Sequence, residues 1–268
     1  MSRLRVAMVN FCPIYGDVEA NLVAVEQQVR AAAEQGAQLV CFPEMCLTGY
    51  ASASTILDYT LCMESGKMQR LGDLSLKTGI AFAVGIPEWE AESQKAFITQ
   101  VCCLPDGRMI SYRKAHLSQR EAETFQAGDR MVLFNFNSFT FGLQICYDIH
   151  FPEYSLAQAL ADAQVILICS ASPMGSAQEL RERWTKFLPT RAYDNGCYVL
   201  ICNQHGAAPS GLSFSGLAMA FDPHGVLIAE SDKPNVPLLV DVDGEVVMQA
   251  RQKRSFFKAR RPQIYHLA

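Results

Sequence analysis

Three stretches of the chain carry almost nothing polar: Gln38-Leu-Val-Cys-Phe42, Gln164-Val-Ile-Leu-Ile-Cys-Ser170 and Tyr198-Val-Leu-Ile-Cys-Asn203. Short apolar runs of this kind read as strands buried on both faces, which needs helices laid over sheets. Helical patterns stand where such a fold needs them. Asp17 is a fitting N-cap for a helix with Leu22, Val25, Val29, Ala32 and Ala33 inward, and Gly36 stops it. A second helix is predicted over Met68–Thr78, with Leu71, Leu74 and Leu76 as its apolar residues. A third opens at Pro152 and runs to about Ala161 with Leu156, Ala159 and Leu160 inward. Leu180, Trp184, Phe187 and Leu188 mark a fourth, and Pro189 inside that pattern predicts a kink or break.

The other strand-like runs pair as hairpins. Phe97–Leu104 and Met109–Tyr112 flank Pro105-Asp-Gly-Arg108, and Ser215–Phe221 and Val226–Glu230 flank Asp222-Pro-His-Gly225. Val132–Phe136 and Phe139–Ile145 form a third pair, Trp89–Lys95 reads as a solvated hairpin tip, and Gly206–Gly211 as a loop. A last strand at Pro237–Val242 precedes a short helix at Glu245–Arg254. Strands and helices alternate through residues 1–45 and 140–203, so the expected class is α/β: two sheets with helices outside, in one domain over residues 1–268.

Composition excludes several functions. A formal net charge of −4 offers no basic footprint for nucleic acid or an anionic membrane. No run approaches the 18 apolar residues of a membrane span. Ten cysteines form no C-x-x-C pair, several lie in strand-like runs, and residues 1–10 lack the apolar core of a signal peptide. The expected setting is a reducing, cytoplasmic one. The histidines (His116, His150, His205, His224 and His266) show no ligand spacing, so neither a metal nor a cofactor is expected.

Three ionisable residues share one position type, each standing where a predicted strand ends: Glu44, Lys114 and Cys146. Sites in layered α/β folds gather at such ends. Singly, each has an ordinary reading: a capping carboxylate, a surface charge, a buried thiol. Together they form a device, with a base for a thiol proton, a cation for an oxyanion and a nucleophile for a carbonyl or nitrile carbon. Cys146 also sits between a strand and the helix opened by Pro152, a turn that presents a side chain outward.

The segments Phe42-Pro-Glu44-Met-Cys-Leu-Thr-Gly-Tyr50, Tyr112-Arg-Lys114-Ala-His-Leu117 and Cys146-Tyr-Asp-Ile-His-Phe-Pro-Glu153 resemble the three signature segments of the nitrilase superfamily, the carbon–nitrogen hydrolases. The likeness runs on through Gly16-Asp17, Asn21, Arg191–Asn195 and Arg260–Tyr265, and so covers nearly the whole chain. It implies a four-layer α-β-β-α sandwich and a Glu-Lys-Cys triad. In that triad Glu44 is general base and then acid, Cys146 is the thioester-forming nucleophile, and Lys114 with the N–H of Tyr147 holds the oxyanion. It implies a second glutamate in the loop before Gly128-Asp129, where Glu121 fits the spacing better than Glu123. Tyr50, His116, Ser170, Ala171 and Met174 are the further candidates for the substrate pocket. It also implies a homodimer or higher homo-oligomer, with the tail from about residue 245 on the partner subunit.

Phe-Pro-Glu occurs twice, but Glu153 falls in a first helical turn and is assigned a structural role. Cys146-Tyr-Asp148 resembles the amidase and N-carbamoyl amidohydrolase branches, since true nitrilases frequently have Glu after Cys-Trp. The expected substrate is a small linear amide or carbamoyl compound. A nitrile, or a Cys-His hydrolase in place of the triad, is the alternative, and a non-catalytic scaffold is the rival outside enzymes. Arg181, Arg183 and Arg191 are the candidates for meeting a substrate carboxylate.

Overall fold

Along the first strand Leu4, Val6 and Met8 face one way, and Ala7 and Val9 the other, yet all five are buried. The computed structural model, which describes residues 2–254 and 256–265, shows why. Its strands are β1 (Arg3–Met8), β2 (Leu39–Cys41), β3 (Ala81–Glu90), β4 (Lys95–Cys103), β5 (Met109–Arg113), β6 (Leu133–Phe136), β7 (Phe139–Ile145), β8 (Val165–Ser170), β9 (Tyr198–Asn203), β10 (His205–Ala207), β11 (Ser213–Ser215), β12 (Ala218–Phe221), β13 (Leu227–Ser231) and β14 (Leu238–Asp243). Its α-helices are α1 (Val18–Glu34), α2 (Gly66–Thr78), α3 (Pro152–Leu160), α4 (Ala177–Trp184), α5 (Leu188–Asn195), α6 (Gly244–Lys253) and α7 (Phe256–Ala259).

Two six-stranded sheets form, ordered β14-β1-β2-β3-β4-β5 and β13-β12-β9-β8-β7-β6. Leu4, Val6 and Met8 join Phe141, Leu143, Val165 and Leu167 in one apolar layer between the sheets. Ala7 and Val9 pack outward with Leu22, Val25 and Val29 of α1 and Leu71 of α2. Ile166, Ile168, Val199 and Ile201 pack outward with Leu180 and Trp184 of α4 and Leu188 of α5. The result is an α-β-β-α sandwich with three apolar layers. A fully buried Leu, Ile or Val side chain contributes about 1.5–3 kcal/mol, so these layers dominate stability.

The local signals explain the element ends. The Asp17 carboxylate accepts from Ala20 N at 3.0 Å, capping α1, and Gly36 takes φ +80 after it. Pro189 does break its helix: α4 ends at Trp184, and α5 begins at Leu188 with the proline in its first turn. Trp89–Lys95 holds the expected hairpin tip: β3 and β4 pair up to Glu90 and Lys95, residues 91–95 are exposed, and Arg113 ties the strands below the tip through Glu88 and, at 2.7 Å, Glu90. Three expectations need correcting. Gly206–Gly211 is partly strand, since β10 pairs with β11. Leu76 is exposed, because the predicted period overran the face of α2 that packs. In α3 the inward residues are Ser155, Gln158 and Ala159, while Leu160 is exposed. Polar residues turn inward there because Gln144 of β7 donates to Ser155 Oγ and to Gln158 Oε1, each at 2.9 Å.

Cys41, Cys169 and Cys202 meet in the layer between the sheets, with Sγ–Sγ distances of 3.5 Å and 3.9 Å and no disulfide. Cys12 and Cys62, which lie outside the strand-like runs, are partly exposed. The described start of the tail packs on its own chain: Val247 and Ala250 of α6 are buried, and Arg251 Nε donates to Gly196 O. His266 lies outside the described residues.

Candidate active site

Strand direction brings the three strand-end residues to one place. β2 and β3 are parallel, β3–β4 and β4–β5 are antiparallel, so β2 and β5 leave their sheet at the same edge. β7, β8 and β9 are parallel to one another and end together in the other sheet. Glu44, Lys114, Cys146 and the Ser170-Ala171 step therefore converge between the two sheet ends.

Close backbone contact fixes two of them. A Cβ on Gly85 would stand 2.3 Å from Met45 N and 2.7 Å from Pro43 O, so only glycine lets β3 lie against the turn carrying Glu44. A Cβ on Gly128 would stand 2.3 Å from Arg113 O, and Gly128 N donates to Lys114 O at 2.8 Å. That contact pins the loop bearing Glu121 onto the end of β5. Cys146 itself has φ +44, a left-handed conformation that a residue with a Cβ adopts only under constraint.

Lys114 Nζ donates to Glu44 Oε1 at 2.7 Å and to Glu121 Oε1 at 2.6 Å, and all three side chains are buried. Ala171 N donates to Glu44 Oε2 at 3.0 Å. Ser118 N donates to Glu121 Oε2 at 2.8 Å, and Tyr50 OH to Glu121 Oε1 at 2.9 Å. Glu123 is exposed and stands apart from Lys114.

These surroundings drive the two carboxyl groups apart. Burial, then the neighbouring Glu121 charge, push Glu44 up to about 7 against the pull of Lys114. Burial pushes Glu121 the same way, but Lys114 and the donors Ser118 N–H and Tyr50 OH outweigh it and leave Glu121 below the usual carboxylate range. Burial opposes the charge on Lys114, yet Glu44, Cys146 and Glu121 together raise its pKa, so the ammonium persists. Burial and the Glu44 charge push the Cys146 thiol up to about 12, with Lys114 and a Ser170 hydrogen bond pulling down. The resting sulfur is a thiol beside a carboxyl poised near neutrality, and carboxyl groups split in this way take different roles.

Cys146 is partly exposed, and its opening is a cavity of about 270 Å³. Tyr50, Lys114, Glu121, Tyr147, Ser170 and Ala171 line that cavity. His116 and Met174, expected at its wall, are not among its lining residues, although Met174 touches Arg183, which is. His116 stacks on Phe151 at 3.8 Å between ring centroids and meets Asp148 Oδ1 through Nδ1 at 2.8 Å. Met174 packs against the layer under α4. No described histidine hydrogen-bonds Cys146. The chain order gave no cue to Arg120 and Trp184 as lining residues, because each becomes one only when its segment folds over the site.

Asp148, two residues after the nucleophile, holds a structural position that its sequence context does not display. It is fully buried. Its Oδ2 accepts from Tyr112 OH at 2.7 Å and Ile145 N at 2.8 Å, and its Oδ1 accepts from His116 N at 3.0 Å. One carboxylate thereby ties the end of β5, which carries Lys114, to the turn that carries Cys146. Asp148→Ala leaves buried donors unpaired and is expected to lower kcat by roughly 10²-fold through misplacement, with a smaller change in KM. Asp148→Asn, which keeps part of the bonding, is expected to recover some of the loss. Steady-state kinetics on the two variants checks this, and a pure KM effect would sink it.

The comparisons with known proteins agree with this geometry. A family model described as carbon-nitrogen hydrolase matches residues 5–252. An (R)-stereoselective amidase from Pseudomonas sp is 27% identical over 260 residues, 96% of this chain and 92% of that protein. The omega-amidase NIT3 of Saccharomyces cerevisiae is 28% identical over 280 residues, 98% and 95% of the two chains. The crystal structure of Saccharomyces cerevisiae Nit3, described as a member of branch 10 of the nitrilase superfamily, superposes with TM-score 0.88 at 28% identity over 97% of both chains. A cysteine-to-alanine variant of the amidase from Nesterenkonia sp. AN1, in complex with butyramide, superposes with TM-score 0.80 at 26% identity over 94% and 95%.

Proposed function

Since the chain belongs to the carbon-nitrogen hydrolase family, we propose that it hydrolyses the C–N bond of a small linear amide or N-carbamoyl compound, releasing ammonia through a thioester on Cys146. The observation that carries this reading is one buried ammonium, Lys114, shared between Glu44 and Glu121 at the cavity that opens on Cys146. Glu44 takes the thiol proton as Sγ attacks the carbonyl carbon. Lys114 and the Tyr147 N–H hold the negative oxygen. Collapse breaks the C–N bond, and the proton on Glu44 goes to the departing nitrogen as ammonia leaves. A water then attacks the thioester with Glu44 again as base, and the acid departs from a restored thiol. Glu121, ionised throughout, keeps Lys114 charged and in place. The amidases among the relatives and structural neighbours support the same chemistry.

The direct test is a panel of amides, N-carbamoyl amines and nitriles, read by ammonia release and by intact mass of the protein during turnover. Ammonia with an acyl adduct on the chain is the expected result for the first two classes. Turnover confined to nitriles would replace the amide reading.

The pH dependence follows from Glu44. The carboxylate form is the base, so kcat/KM is expected to rise with pH through a limb centred near 7, where Glu44 loses its proton. Glu121 stays ionised across that range and Lys114 stays protonated, so neither supplies the limb. A limb centred near 4.5 would place the base outside this buried setting.

A further inference from the structure

Among the three arginines that suit a substrate carboxylate, the structure separates one from the others. Arg181 is exposed and its Nε is held by Glu230 at 2.7 Å. Arg191 Nε donates to Ile149 O at 3.2 Å. Arg183, in the last turn of α4, is partly buried and lines the cavity that opens on Cys146. Its polar neighbour is the Met174 thioether, 3.8 Å from Nη1, and a thioether is a weak acceptor. A guanidinium holds its charge at every working pH, and its planar fork matches a carboxylate.

Among the described residues, no carboxylate is paired with that charge. Glu44 and Glu121, the carboxylates at the site, are both engaged by Lys114. Arg120 also lines the cavity, and none of the ion pairs among the described residues includes it. His150, on the same lining, is held below its usual value by burial and by Arg183 and Arg191. The cavity thus has a neutralised catalytic end and a wall with unanswered positive charge. A cavity of about 270 Å³ has room for a small acyl chain between those ends.

We propose that Arg183 is the specificity-determining residue of this pocket, and that it selects small amides whose acyl part ends in a carboxylate. The inference rests on the amide-hydrolase reading above and narrows its substrate class. The carboxylate makes a charge-assisted pair with Arg183 while the amide carbon lies at Cys146. The hydrolysis itself needs only water and yields a dicarboxylate and ammonia.

Succinamate and succinamide share a chain length and differ in that charge, so the ratio of their kcat/KM values is the readout. In the unmodified protein the ratio is expected to favour succinamate by roughly 10- to 100-fold, the range for a hydrogen bond to a charged group. Arg183→Ala should bring the ratio to near one, mostly through KM, and Arg183→Glu should turn it below one. Raising the ionic strength should raise KM for succinamate and not for succinamide. Because the ratio is taken within each variant, partial loss of folded protein cancels. Should the Arg183 variants fail to fold, a ratio near one in the unmodified protein or a ratio lost in Arg120→Ala still overturns the assignment, and a ratio that survives in Arg120→Ala supports it. A ratio near one in the unmodified protein, or one that Arg183→Ala leaves standing, overturns the assignment. So does a ratio that collapses in Arg120→Ala instead. If succinamide is hydrolysed with an acyl adduct but the ratio is near one, only this inference falls. If no amide is turned over at all, the amide-hydrolase reading falls with it.

Discussion

Cys146→Ala is expected to abolish ammonia release, by on the order of 10⁴-fold or more, while leaving the protein folded. The size follows from the role. With the sulfur gone no acyl-enzyme forms, and Glu44 and Lys114 are left with only water to activate. The fold is expected to survive because alanine fills the same turn with a smaller side chain, and the surrounding layers do not depend on the sulfur. Circular dichroism and intact mass should show a native chain without an adduct, against an acylated one for the unmodified protein. Ammonia release within tenfold of the unmodified rate would end the thioester mechanism. The choice of Cys146 is specific, because seven of the ten cysteines are buried and the partly exposed Cys12 and Cys62 lie off the cavity lining.

Lys114→Met is the second large effect, and it should damage stability and rate together. Removing the ammonium leaves Glu44 and Glu121 buried side by side without a counter-charge, which costs about 3–5 kcal/mol for a broken buried pair. At about 2–4 °C per kcal/mol, Tm should drop by roughly 10 °C. The rate should fall by about 10³-fold as the oxyanion loses its cation. The stability loss carries a pH signature. Without Lys114 both carboxyl groups have folded-state pKa values above their unfolded ones. Their stability contribution is then full below about pH 4.5 and is lost as pH rises through the raised values. The deficit should therefore be larger at pH 8 than at pH 5. Lys114→Arg keeps the charge but exchanges a compact ammonium for a wide fork, so it should recover much of the Tm and little of the rate. Calorimetry at the two pH values and kinetics at one decide it, and equal Tm values for Lys114→Met and the unmodified protein would remove Lys114 from the ion network.

The layered fold was legible because its signal is local. Gln164–Ser170 and Tyr198–Asn203 are apolar on both faces, and Pro189 marks a break wherever it stands in a helix. The convergence of Glu44, Lys114 and Cys146 was legible for a topological reason: each closes a strand, and parallel strands end together. What stayed hidden depends on contacts between distant segments. Ser155 and Gln158 face inward only because Gln144 waits on β7. Asp148 gathers donors from residues 112, 116 and 145, and no window of sequence displays that set. His116 was expected beside substrate and is instead taken up by Asp148 and Phe151. Arg183 became separable from Arg181 and Arg191 only once the partners of all three were known.

The φ of +44 at Cys146 also limits what this lineage can become. In that backbone state a side chain branched at Cβ collides with its own main chain, whereas an unbranched one fits. The turn can exchange sulfur for oxygen by taking serine, but it is closed to threonine, although threonine serves as a nucleophile in other hydrolases. The menu of reactive groups open to descendants of this protein is thus set by one torsion angle, before any question of acidity or substrate arises.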